Sequence, residues 1–115
     1  MFLCPLIEMG KQQMNHKIKV TIDADLEAII PEFLKNREKD IASIDALLRK
    51  KDYDGIRMLG HKMKGAGASY GFDVVSDIGR AIEAAAKQEA AELIAQKKAA
   101  LADFLNRLDI EYVQE

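Results

Sequence analysis

The chain has one cysteine and two histidines in 115 residues, and each scarcity excludes a class of protein. A single thiol, Cys4, cannot close an internal disulfide, so a packed core must supply the stability and a reducing, cytoplasmic compartment is expected. Two histidines and one cysteine cannot be assembled from their spacing into a metal-ligand cluster, so no metal site is expected. An excess of one charge is missing too, with 17 Lys and Arg against 19 Asp and Glu. A nucleic-acid surface usually carries a basic excess, so no nucleic-acid partner is expected. Long apolar runs are also absent. The opening Met1-Phe2-Leu3-Cys4-Pro5-Leu6-Ile7 is too short to span a bilayer and lacks the basic start and cleavage pattern of a signal peptide, so no membrane association is expected.

What is present reads as one helical domain. A chain of this length can bury a single core without metal or disulfide. Residues 1–22 are expected as a loosely ordered tail, with Met14 available as a second start. Lys17–Ile22 alternates like a strand, but six residues with no partner strand make an extended lead-in at most. Asp23 or Asp25 can cap a short helix carrying Leu26, Ile29 and Ile30, which Pro31 kinks or restarts. Phe33, Leu34, Ile41, Ile44, Leu47 and Leu48 form the next amphipathic stripe. Asp52 or Asp54 caps the helix after that, and Gly71 ends it. Asp73 is expected to cap a helix with Val75, Ile78, Ile82 and Ala85 inward.

Propensity alone would run one helix from Ala84 to Ala102, a stretch without Gly or Pro. The apolar face, however, changes sides near Lys87–Glu89, which places a tight turn there. A last helix then uses Ala90, Ile94, Leu101, Leu105, Leu108 and Tyr112. The expected fold over residues 23–115 is all-α, an antiparallel four-helix bundle with a short extra N-terminal helix.

The most informative stretch is Arg57–Gly71. Ile56, Leu59, Met63, Ala66 and Tyr70 recur at helical spacing and define one buried stripe. At about 100° per residue, His61 points about 170° away from the middle of that stripe, toward water. Lys64 and Ala68 follow on the same face, with Gly65 beside Lys64. Gly60, Gly65 and Gly67 each cost about 1 kcal/mol in a helix relative to Ala. Gly60 and Gly67 lie near the buried stripe, where they would admit a neighbouring helix. Gly65 lies outside it, where no packing need explains it and where it leaves room for another molecule. A surface histidine beside a lysine is common; the added glycine is what sets this one apart.

An exposed imidazole near an ammonium and a bare patch suits transient acceptance of a phosphoryl group. Neutral imidazole is nucleophilic near neutral pH, and a carboxylate can steer its second nitrogen. Glu83, in the following helix, is the candidate for that carboxylate. Lys64 is the candidate counter-charge for the phosphoryl group, while Lys62 lies off the His61 face. There is no G-x-x-x-x-G-K-[ST] loop, and no strand precedes Gly65-Ala66-Gly67-Ala68-Ser69. The chain can carry a phosphoryl group but has no visible means of taking one from ATP. The second histidine, His16, offers no catalytic triad, and no small-molecule substrate is expected.

Over roughly residues 23–110 the chain resembles the histidine-containing phosphotransfer (HPt) domains of two-component phosphorelays. The resemblance is carried by His61-Lys62-Met63-Lys64-Gly65, then Ser69-Tyr70-Gly71-Phe72 and Ile82-Glu83. Ile30-Pro31-Glu32-Phe33-Leu34-Lys35-Asn36-Arg37 adds to it. It implies a free-standing shuttle with His61 as phospho-acceptor, Lys64 supporting the phosphoryl group and Glu83 holding the other ring nitrogen. Gly65 opens the docking face, with Ala68, Met58, Arg57 and Lys62 around it. The implied partners are response-regulator receiver domains and a sensor histidine kinase. The Mg²⁺ for transfer comes from the receiver, so no cofactor is expected here. A competing reading is a bundle of the same fold that has lost transfer and only binds receivers or a kinase. Retained His61, Lys64 and Gly65 argue against it. The remaining alternative is a structural bundle with an incidental histidine.

Overall fold

A computed structural model describes residues 16–114. In chain order these form strand β1 (Ile18–Asp23), helices α1 (Ile30–Arg49), α2 (Tyr53–Tyr70), α3 (Asp73–Lys87) and α4 (Ala91–Arg107), and strand β2 (Leu108–Val113). Local signals set the helix ends. Pro31 occupies the first turn of α1, where its missing N–H has no helical partner to lose. The Asp52 carboxylate accepts from the Gly55 N–H at 3.0 Å and caps α2. Gly71 ends α2 at φ 85°, and its N–H returns to the Gly67 carbonyl. The reversal between α3 and α4 runs through Glu89 at φ 54°, where the apolar face changes sides.

The helices run antiparallel. Phe33 near the start of α1 meets Tyr70 at the end of α2, with ring centroids 5.1 Å apart. Asp45 of α1 pairs with Lys98 of α4. Phe72, fully buried between α2 and α3, stacks on Phe33 at 4.9 Å and stands edge-on to Phe104 of α4 at 6.5 Å. One aromatic cluster therefore joins all four helices at that end of the bundle. Truncating such a buried ring to alanine typically costs about 3–5 kcal/mol. Ile44, Ile56, Met63, Ile82, Ile94 and Leu101 continue the core through the bundle.

Three features differ from the sequence expectation. First, the fold is not all-α. Ile18–Asp23 has a partner after all, pairing in parallel with Leu108–Val113 in the register Ile18↔Leu108 to Asp23↔Val113. The last helix accordingly stops at Arg107, and Leu108 and Tyr112 belong to a strand. Ile22 is buried, while Ile18, Val20, Leu108, Ile110 and Tyr112 rest half-buried against the core. The partner lies some 90 residues away, so no local pattern announces it.

Second, the extra N-terminal helix is absent. A single 3-10 turn, Ala24–Leu26, stands in its place, with the Asp23 carboxylate accepting from the Asp25 N–H at 2.9 Å. An unbroken helix into α1 would need the N–H that Pro31 lacks and would press its ring on a carbonyl one turn back. Third, Asp73 is the first residue of α3 rather than its cap. Phe72 takes the cap position because its ring is drawn into the core. Of the tail expected over residues 1–22, residues 1–15, with Cys4 and Met14, lie outside the described residues.

Candidate functional site

The site is built where α2 crosses α3, and glycine sets the distance of that crossing. A methyl group on Gly60 would lie 2.8 Å from the Glu83 nitrogen and 2.9 Å from the Gly79 carbonyl oxygen. One on Gly67 would lie 2.5 Å from the Ser76 nitrogen, and one on Gly79 would lie 2.5 Å from the Lys64 nitrogen. These are backbone atoms that cannot swing aside. The two helices therefore touch main chain to main chain, as the positions of Gly60 and Gly67 suggested. Gly79 supplies the opposing surface and was not singled out from the sequence. A glycine inside a strongly apolar helix stripe, at a cost of about 1 kcal/mol, was the available signal.

The short crossing brings Glu83 of α3 beside two residues of α2. His61 is 65% exposed, and its Nδ1 lies 3.3 Å from Glu83 Oε2. Lys64 Nζ lies 3.6 Å from Glu83 Oε1. Glu83 itself is only 14% exposed. Its burial works to raise the carboxyl pKa, but Lys64, the hydrogen-bonded His61 and Lys87 outweigh that and hold it below the usual 4.5. An ionised carboxylate can only accept, so Nδ1–H donates to Glu83 and the neutral ring is fixed in the Nδ1–H tautomer. Nε2 is left with the free lone pair on an imidazole that faces water. Such a ring can act as a nucleophile toward an electrophile brought from outside.

The remaining residues sort by face. A Cβ added at Gly65 would meet nothing within 4 Å, so the bundle does not require glycine there. Ala68 is exposed, and Met58 is 50% exposed. Arg57 is held by Asp54, with Nη2 donating at 2.8 Å and Nε at 3.2 Å. Lys62 is turned toward α1, where it shares a groove with Arg37, Asp40, Gly55, Met58 and Leu59. In that groove the Arg37 guanidinium lies 4.7 Å over the Phe33 ring and donates to Asp40 at 2.8 Å. The structure thus gathers His61, Lys64 and Glu83 into one cluster, leaves Gly65 and Ala68 open, and sets Lys62 on a flank. Among the described residues, no group of three or more His, Cys, Asp or Glu is placed to hold a metal ion. No described helix is long and apolar enough to cross a membrane.

A helical bundle that presents a water-facing histidine oriented by a carboxylate has the groups that a phosphoryl-carrier module needs. Comparison of the sequence with known families makes the assignment specific. The Hpt domain matches residues 28–111, and the chain belongs to that family. Its members are histidine phosphotransfer modules of two-component signalling, phosphocarriers rather than nucleotide-binding enzymes, and they interact with response regulators and histidine kinases. No curated protein and no solved structure matched the chain.

Proposed function

We propose that the protein is a phosphorelay shuttle and that His61 is its phospho-acceptor. The observation that carries this reading is the Nδ1 to Glu83 contact on a histidine that is otherwise open to solvent. The donor is the aspartyl phosphate of a receiver domain, or the phosphohistidine of a sensor kinase. In the receiver case the Nε2 lone pair forms the N–P bond while the acyl P–O bond breaks and the aspartate leaves as carboxylate. The ring, still holding its Nδ1 proton, becomes cationic, and Glu83 offsets the charge as it develops. Lys64, now on Glu83, is one helical turn from His61 and can rotate onto the phosphoryl oxygens. Reversal of the same step delivers the group to another receiver aspartate.

Gly65, Ala68 and Met58 form the open surface on which a receiver docks, with Arg57 and Lys62 at its edges. Any Mg²⁺ used in the step comes with the receiver. The test is transfer from a panel of phosphorylated receivers of the host. Label passing from at least one receiver to this protein within minutes is expected. Failure of every receiver and kinase of the host to label it would overturn the reading.

A further inference from the structure

Two of the three glycines at the crossing, Gly60 and Gly79, press on the backbone of a residue from the site. A methyl on Gly79 would stand 2.5 Å from the nitrogen and 3.0 Å from the Cα of Lys64, and 2.8 Å from the Gly60 carbonyl oxygen. A methyl on Gly60, next to His61 in the chain, would stand 2.8 Å from the nitrogen of Glu83. Ordinary contact for such a carbon begins at 3.4 Å. Any side chain at either position therefore pushes α2 and α3 apart by several tenths of an ångström or more, at the level of His61, Lys64 and Glu83. The His61 to Glu83 contact, at 3.3 Å, is already at the long end for a hydrogen bond and has little slack.

Given His61 as the phospho-acceptor, we propose that Gly79, with Gly60, is a positioning residue for transfer: the main-chain contact it permits sets the reach of Glu83 to His61 Nδ1 and so selects the ring tautomer. Gly67 makes an equally close contact, 2.5 Å from a methyl to the Ser76 nitrogen, but at the other end of the crossing beside Phe72. It serves packing there and leaves the histidine alone. Gly67 is therefore an internal control for loss of packing without loss of aim.

The experiment reads the ¹⁵N shifts of Nδ1 and Nε2 of His61 in the full chain, together with phosphoryl acceptance from a phosphorylated receiver. Gly79→Ala and Gly60→Ala are expected to shift the neutral ring from the Nδ1–H form toward Nε2–H. Labelling should fall about tenfold, the worth of one charge-assisted hydrogen bond. Gly67→Ala, destabilised to a similar degree, should keep the wild-type tautomer. Glu83→Asp withdraws the carboxylate by one methylene, about 1.5 Å, without touching the crossing, and should reproduce the shift. A folded Gly79→Ala that keeps the Nδ1–H form, or a Gly67→Ala that loses it equally, overturns the positioning role. Where the glycine variants do not fold, Glu83→Asp decides: an unchanged tautomer means that reach is not limiting and the role is wrong. A wild-type protein that takes no label while the tautomers shift as stated would refute the shuttle reading and leave standing only the control of the ring tautomer by the crossing.

Discussion

Filling the bare position at Gly65 is expected to make the protein more stable and less able to transfer. A Cβ there meets no atom within 4 Å, so alanine adds helix propensity without strain, and leucine branches from the same open position. Glycine costs about 1 kcal/mol relative to alanine inside a helix. Unfolding entropy of about 2.1 cal/mol/K per residue over a chain of this length gives about 0.24 kcal/mol/K. Gly65→Ala should therefore raise Tm by about 4 °C, and Gly65→Leu by slightly less. The leucine side chain would stand beside His61, between the imidazole and an approaching receiver. A displacement of about 1 Å at the reacting atoms can cost about 10²-fold in rate, so transfer to Gly65→Leu should slow at least about tenfold. Thermal melts followed by circular dichroism and a time course of label transfer read the two effects separately. A lowered Tm would show that glycine is needed by the bundle. A wild-type transfer rate in Gly65→Leu would show that this face is not where the partner sits.

Other substitutions probe the cluster and its flank. Lys64→Ala should slow transfer about tenfold and shorten the life of the phosphorylated form, with receiver affinity within about twofold of wild type; a large loss of affinity would make Lys64 a docking residue. Because the Glu83 pKa is lowered, its contribution to stability is full above 4.5 and is lost only as pH falls through the depressed value. The stability difference between wild type and Glu83→Gln should hold from pH 7 down to 5 and shrink below 4.5, and a difference that fades between pH 7 and 5 would contradict the ion cluster. Burial raises the Asp40 pKa above 3.8 against the pull of Arg37 and Lys62. Lys62→Ala should move it further up in a carboxyl-carbon NMR titration, and no upward movement would remove Lys62 from that groove.

The helices were legible because their signals are local. The stripe Ile56, Leu59, Met63, Ala66 and Tyr70, the Asp52 cap and the Gly71 stop all act within a few residues. The turn at Glu89 was legible for a subtler reason: Ala85 and Ile94 cannot share one face of a straight helix. The parallel pairing of Ile18–Asp23 with Leu108–Val113 was not legible, because its two halves lie some 90 residues apart and neither carries a local signal for the other. At the site, the outward aim of His61 and Lys64 follows from the stripe alone. The position of Glu83 does not, since periodicity places it on a seam but cannot give the distance between helices. That distance depends on Gly60 meeting Gly79, a contact between two elements that neither element specifies by itself.

The most direct measurement of the central claim is the chemistry and position of the phosphoryl label. Wild-type protein and His61→Gln are incubated with a phosphorylated receiver of the host, and the label is tested for stability and mapped. His61 is 65% exposed on its side chain, so the substitution should leave stability within about 0.5 kcal/mol and the helical circular dichroism unchanged. The wild type should carry acid-labile, base-stable label on His61, and His61→Gln should carry none. Label that persists in a folded His61→Gln, or that maps to another residue, would contradict the account.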